Sequence, residues 1–155
     1  MTESDQTLER MSITHALEYY KNHCEFSGYS VEEEEDKFTI FCRHPTRYPL
    51  RLILLEQSAG VLAQSVYAFP ERFQNDLIPI YMYANELKRL FLFLKVHIDT
   101  HENEPPILVL HSVLEEEYSR QNFAIFLDNI ECDMKKFHSY PKTIDIWSTE
   151  SGYNL

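Results

Sequence analysis

A chain of 155 residues with 25 acidic and 14 basic side chains carries a formal net charge of −11. Nucleic acid and anionic lipid surfaces are disfavoured as partners, because both call for clustered basic side chains. With 44% hydrophobic residues, including ten Phe and ten Tyr, the chain has enough apolar material for one compact core.

The start, Met1 to Asp5, is acidic and leads into no apolar segment, unlike a secretory signal. Ile13, Ala16, Leu17, Tyr20 and Cys24 recur at helical spacing, which predicts a first helix starting between Thr7 and Ile13. Gly28 follows where a helix end favours a left-handed residue. Tyr29 to Glu32 alternates as a short strand, and Glu33-Glu34-Glu35-Asp36 reads as a solvated turn. Phe38, Ile40 and Cys42 alternate with Thr39, Phe41 and Arg43 to give a second strand. After the His44-Pro45-Thr46-Arg47 turn comes a third strand, Tyr48 to Glu56, with Leu50, Leu52 and Leu54 on one face. Pairing across that turn sets these leucines beside Phe38, Ile40 and Cys42. Gln57 to Gly60 turns the chain into a fourth strand, Val61 to Phe69.

Pro70 ends that strand, Asp76 is placed to cap a second helix, and Pro79 falls in its first turn. Leu77, Ile80, Ala84, Leu87 and Phe91 form its buried stripe. Phe93 to Asp99 and Ile107 to Leu114 predict a hairpin whose core face holds Leu94, Val96, Ile98, Leu108 and Leu110. Ser119 can cap a third helix with the stripe Phe123, Leu127, Ile130, Met134 and Phe137. After Pro141, the residues Ile144, Ile146 and Trp147 call for partial docking. The expectation is an α+β fold of order α-β4-α-β2-α, with a mostly antiparallel sheet and helices packed on one face. Residues 1–12 form an extension, 13–141 a single domain and 142–155 a partly docked tail.

The longest apolar run, Leu90 to Leu94, is too short to span a bilayer. Cys24, Cys42 and Cys132 are an odd set without paired spacing, as in the reduced thiols of a cytoplasmic protein. The three glycines, Gly28, Gly60 and Gly152, lie too far apart for a phosphate-cradling loop. No serine-hydrolase elbow and no C-x-x-C pair occurs, so neither an enzyme nor a cofactor is expected. Cys42 and His44 share a strand face without further ligands. His97, Asp99 and His111 share the non-core face of the last hairpin, an alternative reading as a small metal-binding protein or enzyme. A third alternative is a regulator sensing a small ligand between helix and sheet. Arg43, Arg47 and Arg51 form one basic cluster, which suits edge-strand protection first, and otherwise a phosphate or an acidic partner segment.

Phe41, Ile53 and Leu55 point away from the core face of the meander, where polar residues would suit solvent. With Arg51 beside them, they are the candidate partner-binding residues, and an apolar patch of this kind predicts a homodimer or another protein partner.

Gly28-Tyr29 closing the first helix, the alternating strands, Ala84-Asn85-Glu86-Leu87, Asn122-Phe123, Asp133 and Tyr140-Pro141 together resemble the YbjN family over residues 13–141. That family is similar in fold to the class I type III secretion chaperones, small acidic cytosolic dimers that bind extended protein segments. The resemblance implies a non-enzymatic, cytoplasmic, bacterial adaptor with a chaperone-like or regulatory role. The His44-Pro45 hairpin and the tail from Lys142 to Leu155 depart from the family pattern.

Overall fold

A computed structural model describes residues 2–148, with the side chains of residues 5–14 outside the description. Helix α1 spans Glu3–Phe26, starting earlier than its apolar spacing suggests because no Gly or Pro interrupts residues 3–26. Its end is set by Gly28 at φ 95°. There the Tyr29 N–H donates to Cys24 O at 2.9 Å and the Gly28 N–H to Glu25 O at 3.1 Å, the pairing of a left-handed helix terminus.

Four strands follow: β1 (Ser30–Glu33), β2 (Thr39–Arg43), β3 (Leu50–Leu54) and β4 (Val61–Ala68). Then come a 3-10 turn (Glu71–Phe73), α2 (Ile78–Leu90), β5 (Lys95–Asp99), β6 (Ile107–Leu114), α3 (Arg120–Ser139) and α4 (Pro141–Ser148). The strands form one six-stranded sheet in the order β1-β2-β3-β4-β6-β5. The pairs β1–β2, β2–β3, β3–β4 and β5–β6 are antiparallel. The α+β class and the order of its first nine elements are those expected from the sequence. The eight-residue α4 is the addition, placed in the segment read as tail.

Two compact units divide the chain. One runs as far as Gln64 and includes Val113–Leu127; the other comprises Ser65–Ser112 and the chain from Asp128 onward. In the first unit, Ile40 pairs with Leu52 and Cys42 with Leu50, and all four side chains are buried with Leu17, Tyr20, Cys24 and Phe123. The free thiol of Cys24 hydrogen-bonds to that of neighbouring Cys42, which together with burial drives its pKa far upward. Gly60 has no substitute: a Cβ there would lie 2.0 Å from the Leu114 carbonyl oxygen.

The second unit is built on rings. Trp147, fully buried, stacks on Phe69 at 5.1 Å and donates its indole N–H to Ala68 O at 2.9 Å. Tyr83 and Phe137 complete the cluster. The Tyr83 hydroxyl bonds that of Thr143, and Arg72 donates to the Ile146 carbonyl at 2.8 Å. These contacts fix α4. Residues 149–155 of the expected tail lie outside the described residues.

Two sequence expectations change here. Asp76 caps nothing: Leu77 holds the N-cap position of α2 without a side-chain bond, and Asp76 sits one residue too early. Strand β5 opens at Lys95 rather than Phe93, because the N–H groups of Leu92, Phe93 and Leu94 all donate to the Asp133 carboxylate, the shortest at 2.6 Å. Ser119 does cap α3, accepting the Asn122 N–H at 3.4 Å.

Candidate functional site

The β2–β4 meander has two unlike faces because side chains alternate along a strand. On one lie the buried Ile40, Cys42, Leu50, Leu52 and Leu54. On the other, Phe41 pairs with Arg51, Thr39 with Ile53, and Ile53 with Leu62. Strand β1 stands at the end of the sheet, bringing Glu32 opposite Phe41.

Phe41, Arg51 and Ile53 are thus brought onto one face, each half-buried. Leu55 differs from expectation. Strand β3 ends at Leu54, and the Leu55 N–H donates to Gly60 O at 2.8 Å within the following turn. Nor is the face an open apolar patch: the large apolar side chains that stand exposed are others, Phe26, Ile78, Met82 and Leu92 among them. Charged groups shelter it instead. The Arg43 guanidinium lies 4.8 Å over the Phe41 ring, and Arg51 Nε meets Glu34 Oε1 at 2.8 Å.

The acidic segment is more ordered than a solvated turn. Glu33 belongs to β1 and meets Lys21 Nζ at 3.2 Å. Asp36 accepts the N–H groups of Phe38 and Thr39, each at 3.0 Å, and the Thr39 hydroxyl at 2.7 Å. That hydroxyl, then the Phe38 N–H, holds its carboxyl below the usual range. Lys37 takes φ 63° to close the turn. The carboxylates from Glu32 to Asp36, with Phe41, Arg43 and Arg51, line a groove of about 640 Å³. Leu62 and Glu34 are the site residues the sequence reading passed over. The alternation of Val61, Leu62 and Ala63 carried the signal for Leu62; for Glu34 only the register, unknown before the structure, could give it.

His97, Asp99 and His111 do share one face of the β5–β6 hairpin, with His111 diagonal to His97. His97 Nε2 lies 2.5 Å from Asp99 Oδ1, and His111 stands directly opposite Lys95. Burial, then the Lys95 ammonium, lowers the His111 pKa. Among the described residues, no group of three or more His, Cys, Asp or Glu side chains is arranged to hold a metal ion. His44 is a hairpin clasp: Nδ1 accepts the Thr46 and Arg47 N–H groups at 3.1 and 3.2 Å, which leaves Nε2–H to donate to Ser27 O at 3.2 Å. Among the described residues, no helix is long and apolar enough to cross a membrane.

Six strands with this order and flanking helices define an α+β fold of the YbjN type. The crystal structure of YbjN, a candidate transcription regulator from E. coli, superimposes with a TM-score of 0.61 at 14% identity, covering 80% of this chain and 92% of that one. The likeness is one of fold. No family model matches the sequence, and no curated protein matches it.

Proposed function

We propose that this chain is a non-enzymatic protein-binding adaptor that takes up an extended, basic and apolar segment on the outer face of β2–β4. The observation carrying this reading is the groove itself: half-buried Phe41 bordered by five carboxylates, Glu32 to Asp36, against two guanidiniums, with half-buried Ile53 next along the same strand face. Apolar side chains of a partner would lie on Phe41, Ile53 and Leu62, and its lysines would face the rim. The end position of β1 also suits backbone pairing with an added strand. Acidic rims raise encounter rates with basic segments at low salt. A regulatory or chaperone-like role, the cytoplasm and a homodimer belong to the same reading. The three free cysteines support the compartment, and light scattering at high concentration checks the dimer.

The test is calorimetry with a synthetic peptide alternating lysine with valine. Binding at low salt that weakens steeply with added salt, and is lost in Phe41→Ser and Ile53→Asp, supports the proposal. Circular dichroism confirms that the variants fold, since Ile40, Leu50 and Leu52 on the other face are untouched. Equal binding by folded wild type and both variants overturns it.

A further inference from the structure

A second concavity in the N-terminal unit, of about 520 Å³, is lined by α1 and the start of α3, with Tyr19, His23, Phe26, Tyr118 and Arg120 among its walls. Its size is that of a small-molecule site. Tyr19 and Tyr118 are stacked at 5.5 Å with their planes 10° apart. His23 Nδ1 meets the Tyr118 hydroxyl at 2.8 Å, and the buried Phe123 lies edge-on beneath at 4.8 Å. Phe26, two turns further along the same face of α1 and also a wall of the cleft, is 84% exposed, an unusual place for a phenyl ring on a helix surface. The Arg120 guanidinium sits 5.8 Å from that ring, and among the described residues it meets no carboxylate.

We propose that this cleft binds a planar aromatic carboxylate, its ring lodged between the Tyr19–Tyr118 stack and Phe26 and its carboxylate on Arg120. Aromatic walls supply stacking surface, which is favourable for offset or edge-on rings. A guanidinium presents paired N–H donors in the geometry a carboxylate accepts. Charge decides the class of ligand: Arg120 is the cation on these walls, so an anionic head is matched and a cationic one opposed. Burial, then Arg120, lowers the His23 pKa, and burial raises that of Tyr118. Both side chains are therefore uncharged at neutral pH, and their mutual bond stiffens the wall without competing for the anion. This site is separate from the β2–β4 face and does not rest on the adaptor reading.

Ligand-observed NMR and calorimetry with 3-phenylpropionate and indole-3-acetate, each against its primary amide, provide the test. The acids should bind roughly tenfold or more tightly than the amides, as a charge-assisted hydrogen bond implies. Arg120→Gln should erase that preference, while Phe26→Ala and Tyr19→Ser should weaken acid and amide alike. All three side chains are exposed, so circular dichroism should report an unchanged fold. Resonances of His23 and Tyr118 should move on binding, and Phe41→Ser should leave binding as in wild type. No binding up to millimolar acid, equal binding of acid and amide, or binding indifferent to Arg120→Gln and Phe26→Ala would each overturn the proposal.

Discussion

The outer face of β2–β4 and the aromatic cluster around Trp147 are both mixtures of apolar and polar groups, assembled on opposite terms. In the cluster, rings are buried against one another and the polar atoms that accompany them are matched: the indole N–H to Ala68 O, the Tyr83 hydroxyl to Thr143. On the sheet face, the Arg43 guanidinium lies over half-buried Phe41, and the neighbouring ion pair keeps much of its contact with water, Arg51 being 43% and Glu34 35% exposed. A buried, satisfied network is costly to disturb, whereas exposed ion pairs rearrange at little cost. The difference implies that stability resides in the cluster and adaptability on the face. Substitutions that separate the two quantities can break that assignment.

The largest effect is expected at Trp147. Trp147→Ala removes a fully buried ring and should cost about 3–5 kcal/mol in urea denaturation. Trp147→Phe keeps much of the packing but strands the Ala68 carbonyl, at about 1 kcal/mol or more. A loss under about 1 kcal/mol for the alanine variant would mean that α4 contributes packing without stability. Asp133 comes next. Its side chain is fully buried and accepts the N–H groups of Leu92, Phe93 and Leu94, with Lys136 Nζ at 3.5 Å. Asp133→Ala leaves three donors without their acceptor and should cost about 2–4 kcal/mol by the same measurement. Asp133→Asn, which retains one acceptor oxygen, should lose less.

A third effect is set by pH. Burial lowers the pKa of His138 from 6.5 to about 4, and its Nε2 lies 3.3 Å from the Tyr67 hydroxyl. Between those values the unfolded chain binds a proton that the folded chain refuses. Stability is therefore full above pH 6.5 and declines as pH falls toward about 4. Partial solvent access discounts the loss to about 1–2 kcal/mol. Carboxyls held low, such as Glu86 by Lys142 and Tyr140, add their own losses at lower pH, below the usual carboxylate value. Denaturation midpoints for wild type and His138→Gln across pH 7 to 4.5 check this: the variant should show the shallower slope in that window.

The core face was readable in advance because alternation fixes which side chains share a side: Ile40 and Cys42 do meet Leu52 and Leu50. The end of α1 was equally legible, since Gly28 takes the left-handed conformation only a glycine adopts freely. What sequence could not show is contact over long separations. Asp133 sits 39 to 41 residues from the N–H groups it serves, and nothing local marks it. The candidate face shows the same limit. Phe41 and Ile53 were legible as apolar residues on the wrong side, but the grouping of Phe41 with Arg43, Arg51 and Glu34 depends on register between strands. Leu55 misled because alternation extrapolates a strand past its end, where the Gly60 turn takes over. Trp147 announced docking but not a helix, since eight residues opening on a proline carry little periodic signal.

The smallest predicted effect is the sharpest test of the comparison. Arg51 and Glu34 form an ion pair at 2.8 Å on the sheet face, both partly exposed. Coulomb attraction in a solvated setting is offset by the entropy of holding two long side chains, so such pairs couple by about 0.2–1 kcal/mol. A double-mutant cycle of Arg51→Ala and Glu34→Ala, followed by urea denaturation, should return a coupling energy in that range, shrinking as salt is added. The basic-apolar peptide should respond in the opposite sense to Arg51→Ala. Removing a cation from a rim of five carboxylates strengthens the field for lysines and frees Glu34 to meet one, so binding should tighten while stability barely moves. A salt-independent coupling of several kcal/mol, or a peptide indifferent to the substitution, would show that the pair is a fixed strut of the fold. The face would then be closed to partners, and the contrast with the Trp147 cluster would fail.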